Sequence, residues 1–143
     1  MLGYVLSDHS KVWAGYAYME INTENGIVRE QRLFQMMTYN SNKSKPIVFI
    51  GRTKIEERFF ENSEQMSMRI RQMIGVMFNL FKINETKVTG FVTNEYHMGM
   101  NFNNGIQTSF NQYRVLLGIG VNTQISGRSV KFKAGYMNIT APK

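Results

Sequence analysis

The sequence has no cysteine in its 143 residues, which excludes disulfide bonds and thiolate metal sites. It has only 2 prolines, and no apolar run approaches the roughly 18 residues that a transmembrane helix needs. Despite the net charge of +7, the basic residues form no long run and match no nucleic-acid-binding motif. These absences leave a chain of single-domain length (residues 1–143), whose 43% hydrophobic and 13% aromatic content is typical of a strand-rich protein.

Instead, charged or polar residues alternate regularly with apolar residues, most clearly between Ile47 and Phe60. Because successive side chains of a strand point to opposite faces, one face would be charged and the other apolar. The charged face carries Arg52, Lys54, Glu56 and Arg58, and the opposite face carries Ile47, Phe49, Thr53, Ile55 and Phe59. A long two-faced strand is typical of a transmembrane β-barrel, with apolar side chains toward lipid and polar side chains toward the lumen.

The same alternation recurs along the chain and is interrupted by turn signals at residues 22–26, 103–105 and 126–128. It predicts strands at residues 2–6, 12–21, 28–39, 47–60, 66–81, 86–101, 112–122 and 131–136, the first of them short. Consecutive long strands joined by hairpins make an antiparallel meander. The sequence therefore predicts an all-β fold, an up-and-down meander of about eight long strands that forms a β-barrel, complete or incomplete.

The segment from residue 66 to residue 81 fits two patterns. As a strand, it places Arg69 and Arg71 on one face and an almost continuous apolar row on the other. As a helix, it has an apolar stripe at helical spacing, formed by Met66, Ile70, Met73, Met77 and Phe81. The strand is favoured because every flanking segment has a period of two, and the helix would give an α+β binding module instead.

Several short motifs, taken in order, resemble one family. They are Glu30-x-Arg32, Arg52-x-Lys54-x-Glu56-Glu57-Arg58-Phe59, Arg69-x-Arg71, Asn94-Glu95, Phe110-Asn111-Gln112-Tyr113-Arg114-x-x-x-Gly118 and Gly135-Tyr136-Met137-Asn138. From Gly3 to Asn138 the chain thereby resembles the bacterial family called domain of unknown function 2490. Proteins of that family are regarded as outer-membrane β-barrels of Gram-negative bacteria without an assigned activity. The resemblance implies location in the bacterial outer membrane, with membrane lipid as the partner.

The resemblance also implies further sequence on both sides of this chain. Members of the family carry a signal peptide and additional strands before the equivalent of residues 2–4, and one more strand after the equivalent of residues 135–138. The present sequence shows no export signal, because Asp8, His9 and Lys11 follow the short apolar start at once. We therefore expect the chain to correspond to the middle of such a protein, and to self-associate through unpaired strand edges.

The charged faces of four successive strands would share the lumen of this barrel. Their residues are Arg52, Lys54, Glu56, Arg58, Arg69, Arg71, Glu95 and Arg114. The favoured interpretation is structural, because opposite charges on neighbouring antiparallel strands pair across the sheet. The alternative is an anion site, since bases outnumber acids and arginine binds phosphate or carboxylate in a bidentate manner.

No catalytic, cofactor or metal site is predicted. Glu95 and His97 share a face, but no serine nucleophile with an orienting carboxylate is identifiable, and one His with one Glu is not a metal ligand set. We therefore expect a non-enzymatic protein without cofactor, metal or nucleic acid, and no protein partner is indicated. The expected function is that of an outer-membrane barrel with a structural or small-solute role. The alternative is a soluble lipocalin-like barrel whose apolar face surrounds a hydrophobic ligand.

The predicted turns differ in charge between the two ends of the barrel. Hairpin connectivity places alternate turns at the same end. One end would carry Lys11, Lys43, Lys45, Lys82, Lys87 and Arg128, and the other Glu20, Glu24, Glu57, Glu61 and Glu64. The molecule is therefore expected to be electrically polar from end to end.

Overall fold

A computed structural model describes residues 1–23, 26–42, 44–61, 66–101 and 107–142. These residues form eight strands in one antiparallel sheet, whose order follows the sequence. The strands are β1 (Leu2–Val5), β2 (Ser10–Thr23), β3 (Gly26–Asn40), β4 (Ile47–Phe60), β5 (Met66–Ile83), β6 (Thr86–Asn101), β7 (Gln107–Ile125) and β8 (Arg128–Thr140). The predicted all-β meander is confirmed. Within the described ranges no helix is long and apolar enough to cross a membrane.

The strand boundaries follow the alternation closely. Strands β4 and β6 begin and end where the sequence predicts, whereas β2, β3, β7 and β8 are longer because antiparallel pairing continues up to the turns. The helical interpretation of residues 66–81 is wrong, since β5 pairs with β4 on one side and β6 on the other. The predicted turn at Ser126 and Gly127 is present, with φ of 51° and 76°. The turn at residues 103–105 lies outside the described residues, as do positions 24 and 25 of the turn at 22–26.

The sheet is strongly curved but does not close on itself. Strand β8 pairs with β7 alone, and the short β1 pairs only with Lys11–Ala14 of β2, so the described chain is an open half-barrel. An open sheet leaves a row of unpaired backbone groups along each outer strand. The curvature divides the sheet into a concave and a convex face, and the alternation along each strand decides which side chains lie on which.

Burial on the two faces is the reverse of that in a soluble domain. On the concave face the Glu30 side chain is fully buried, and Glu56 is 1% exposed. On the convex face Phe49 is 59% exposed and Ile74 57% exposed. Since charged residues are almost never fully buried unless they are paired, the concave charges must have partners.

Glycines on the concave face allow the strands to approach one another closely. A Cβ atom on Gly75 would lie 2.5 Å from the backbone oxygen of Val92, and one on Gly118 would collide with the backbone of Ala134. Gly118 lies opposite Gly135 in the register, so neither strand places a side chain between them. The inner side of the sheet can therefore bend sharply here, which a residue with a Cβ would obstruct.

The two ends of the half-barrel carry different charges. The turns that precede β2, β4, β6 and β8 lie at one end, which we call the basic rim for its residues Lys11, Lys45, Lys82, Lys87 and Arg128. Glu20, Glu57 and Glu61 lie toward the opposite end, where Arg29 bridges Glu20 and Glu61 at 3.2 Å each. The predicted rim residues Lys43, Glu24 and Glu64 lie outside the described residues.

Candidate functional site: an ion-paired band on the concave face

The charged residues of the concave face come together because of the register of the strands. Lys54 of β4 lies opposite Arg71 of β5, which in turn lies opposite His97 of β6. One step along the strands, Glu95 of β6 lies opposite Arg114 of β7. Because the positions alternate by two along each strand, all of these side chains point to the concave side. Their sequence pattern and the register together produce a continuous polar band.

Glu30 is the first of three carboxylates in this band. Both of its oxygens accept hydrogen bonds from Arg32 on the same strand and from Arg58 on β4. The Arg58 contacts measure 2.5 Å from Nε and 3.1 Å from Nη2. The Arg32 Nη2 contact measures 2.7 Å. Two guanidinium groups therefore clamp a carboxylate that has no access to solvent, which links β3 to β4.

Glu56 is the second carboxylate, and it lies between β4 and β5. Its Oε1 accepts a hydrogen bond of 2.7 Å from Lys54 Nζ, and its Oε2 accepts one of 2.5 Å from Arg69 Nε. Arg71 Nη1 lies 3.8 Å from Oε1. Lys54 Nζ also lies 4.1 Å from the centre of the Phe34 ring, so it combines an ion pair with a cation–π contact.

Glu95 is the third carboxylate, and it connects three strands. Arg52 of β4 donates a hydrogen bond of 2.6 Å to Oε1, although β5 lies between the two strands. Arg71 Nη2 lies 3.0 Å from both oxygens. Nε2 of the buried His97 lies 3.0 Å from Oε2, a close contact that is too poorly aligned for a good hydrogen bond. Because Arg52 reaches across β5, Glu95 ties three neighbouring strands together on the concave face.

Arg114 behaves differently from the other bases of the band. Although it lies directly opposite Glu95, its Nε and Nη2 both donate to Oε1 of Gln112, at 2.9 and 2.6 Å. Among the described residues no carboxylate lies within ion-pair distance of Arg114. The charge of Arg114 is therefore not neutralised by the band.

We use the name charged band for the acids and bases described above. It comprises Glu30, Glu56 and Glu95 together with Arg32, Arg52, Lys54, Arg58, Arg69, Arg71 and Arg114. The bases outnumber the carboxylates, so the band has an excess of positive charge. Within the part of the chain that the structure describes, no group of three or more His, Asp or Glu side chains is placed to hold a metal ion.

The structure brings all eight sequence-predicted residues onto one surface and adds three to them. Glu30 and Arg32 belong to the band, although the sequence-based prediction began the cluster one strand later. His97 lies in contact with Glu95 rather than with a nucleophile. The sequence could have indicated Glu30 and Arg32, because charged residues occupy alternate positions there as they do in β4. The pairing of each base with a particular acid had no such signal, since long side chains reach several neighbours.

A cavity of about 480 Å³ adjoins the charged band on the concave face. Arg52, Arg71, Glu95 and Arg114 line one end of it, and Lys133 of β8 lines it toward the basic rim. The surface between them is mainly apolar and includes Thr93 and Gly135 besides Ile50, Met73, Met77, Phe91, Leu116, Ala134 and Met137. The cavity is therefore charged at its ends and mainly apolar in the middle.

The fold and this site define an open antiparallel half-barrel with an ion-paired concave face and an apolar convex face. The chain belongs to the family described as Protein of unknown function (DUF2490), whose model matches residues 1–143. The resemblance drawn from the sequence motifs is thus confirmed. No curated protein and no solved structure matches this chain.

Proposed function

We propose that the chain forms the wall of an outer-membrane β-barrel in a Gram-negative bacterium, with a structural or small-solute role. The main support for this proposal is that the convex face is apolar and the concave face is charged. Apolar side chains such as Leu33, Ile74 and Leu117 lie exposed on the convex face, while buried carboxylates lie on the concave face. In water such a convex face would leave a large apolar area unburied, whereas in a bilayer it meets hydrocarbon.

The same observation argues against the lipocalin-like alternative. A soluble ligand-binding barrel keeps its apolar side chains inside and its charges outside. Here the arrangement is the opposite, because buried carboxylates such as Glu56 and Glu95 lie on the concave side and exposed apolar side chains lie on the convex side. A hydrophobic ligand in the position that a lipocalin uses would have to lie against buried ion pairs.

The charged band has a structural role in this proposal. Each of its carboxylates joins neighbouring strands, so the band fixes register and curvature from inside without catalysis or a cofactor. A buried carboxylate that lost its partners would be left uncompensated, which is strongly unfavourable. Inside a barrel, the band thus replaces the apolar core of a soluble protein as the element that specifies the packing.

The open edges suggest a second property, which is self-association. The free sides of β8 and β2 present unpaired backbone groups that lipid does not hydrogen-bond. We therefore expect the chain in micelles to form oligomers through these edges. Light scattering after size exclusion in detergent measures the mass, and a compact monomer with heat-modifiable gel mobility would contradict this expectation.

The proposal is tested by asking which face contacts lipid. Trp13, the single tryptophan, is replaced by Phe, and a new tryptophan is placed at one of two adjacent leucines, Leu117 on the convex face or Leu116 on the concave face. In vesicles of brominated lipid, Leu117→Trp should be strongly quenched and Leu116→Trp much less. Equal quenching of both variants, or a chain that stays monomeric without detergent, would overturn the proposal.

A further inference from the structure

The cavity beside the charged band is lined by two cationic side chains, Arg114 and Lys133, that no carboxylate of the described residues neutralises. Within the described ranges, the recorded side-chain hydrogen bonds of Arg114 go to the neutral side chain of Gln112. Lys133 Nζ lies 5.5 Å from the centre of the Phe91 ring, and among the described residues it has no carboxylate within ion-pair distance. Glu95, the carboxylate among the described residues that line the cavity, is already bound to Arg52 and Arg71. The lining therefore attracts an anion from outside the chain.

The distance between Arg114 and Lys133, and the lining between them, indicate what kind of anion fits the cavity. Arg114 and Gly120, which lies opposite Lys133, are six positions apart on β7. At about 3.3 Å per residue they are separated by roughly 20 Å along the strand. Between them the lining consists mainly of the apolar side chains of Met77, Phe91, Leu116 and Met137, together with Thr93 and Gly135. An inorganic anion would occupy one end of this cavity and leave the apolar part without a partner.

From this arrangement we infer that the cavity binds a single-chain amphiphile with an anionic headgroup, such as a fatty acid. Its carboxylate accepts hydrogen bonds from Arg114, and its alkyl chain lies on the apolar surface toward Lys133. A volume of about 480 Å³ is within the range of small-molecule sites. The charge on the headgroup compensates part of the positive excess of the band, which neither a neutral nor a cationic amphiphile would do.

The test uses methionine methyl groups as reporters. The full chain, refolded in dodecyl maltoside and labelled with ¹³C at the methionine methyls, is titrated with decanoate. Met73, Met77 and Met137 line the cavity, whereas Met37 and Met98 lie exposed on the convex face. We expect saturable shifts of the three cavity methyls and none of comparable size at the two convex ones.

Matched variants identify the headgroup contact. Arg114→Gln should weaken decanoate binding about tenfold, the loss expected for one charge-assisted contact. Arg128→Gln removes the same charge from the first residue of β8, which does not line the cavity, and should leave binding unchanged. If Arg114→Gln does not fold, Leu116→Trp, which fills part of the apolar lining, should weaken decanoate binding instead. Unchanged binding in whichever of these cavity variants folds would overturn the inference.

Two control ligands separate the parts of the inference. Decanol in place of decanoate should shift the cavity methyls little, and an equal saturable shift would mean that the cavity takes up any alkyl chain. Acetate should bind much more weakly, and equal affinity would mean a plain anion site. No saturable shift with decanoate would also overturn the inference. Because binding is measured in micelles, it can fail while lipid quenching at Leu117→Trp succeeds, so the two proposals are tested separately.

Discussion

The concave and convex faces of this sheet are made by the same strands but follow opposite rules. On β4, Glu56 is 1% exposed, whereas Phe49, on the opposite face of the same strand, is 59% exposed. The difference shows that burial here follows the direction of curvature rather than hydrophobicity. On the concave side, stability depends on matching each charge with a partner. On the convex side, it depends on what solvent the face meets.

The largest effect is expected from breaking the concave network at Glu56. Glu56→Gln would leave Lys54 and Arg69 next to a neutral group in a buried position, at a cost of about 3–5 kcal/mol. Unfolding in urea, monitored by circular dichroism in vesicles, measures the loss. Glu61→Gln is the control, since its pair with Arg29 is half exposed and should contribute little. Similar losses of stability in Glu56→Gln and Glu61→Gln would show that the concave face is hydrated and that its ion pairs contribute little.

A lysine on the convex face should lower the free energy of unfolding by less than Glu56→Gln does, but still by a measurable amount. Ile74→Lys places a charge where the proposal puts hydrocarbon, at a cost of about 2–4 kcal/mol near the middle of a bilayer. Met77→Lys, three residues away on the concave face, should be milder because Met77 lines a cavity rather than the face that the proposal puts against hydrocarbon. The same urea titration compares them. A larger loss for Met77→Lys would reverse the assignment of faces.

Glycines on the two faces should also differ in how well they tolerate a side chain. Gly75→Ala would force a Cβ against the backbone of Val92 on the concave side, with an expected loss of about 1–3 kcal/mol. Gly51 faces the convex side, and its nearest neighbour would lie 3.8 Å from an added Cβ. Gly51→Ala should therefore be neutral or slightly stabilising, because alanine restricts the unfolded chain. Equal losses would mean that curvature does not depend on the concave glycines.

The smallest effect is a coupling energy within the band. A double-mutant cycle of Glu95→Gln and Arg71→Gln should give an interaction of about 0.5–3 kcal/mol, since these side chains are hydrogen-bonded. The matched cycle pairs Glu95→Gln with Arg114→Gln, which lies opposite Glu95 but is bonded to Gln112, and should give a smaller coupling. A larger coupling energy for Glu95 with Arg114 than for Glu95 with Arg71 would contradict this expectation.

Much of the architecture could be predicted from the sequence because strand alternation is a local property. The ends of β4 and β6 and the faces of Arg52 and Arg71 follow from a period of two. The choice of a strand rather than a helix for residues 66–81 follows in the same way, since the neighbouring segments share that period. The extensions of β2 and β7 could not be predicted so well, because pairing near a turn depends on the partner strand as well as on the residues themselves.

By itself, the sequence determined which residues share a face, the antiparallel order of the strands and the charge of each end. It could not decide which face is concave, because alternation is the same whichever way a sheet curves. Nor could it decide that Arg52 reaches across β5 to Glu95 while Arg114, directly opposite Glu95, turns to Gln112. These choices depend on the curvature and on competition among long flexible side chains for a few carboxylates. Both arise only once the strands are assembled.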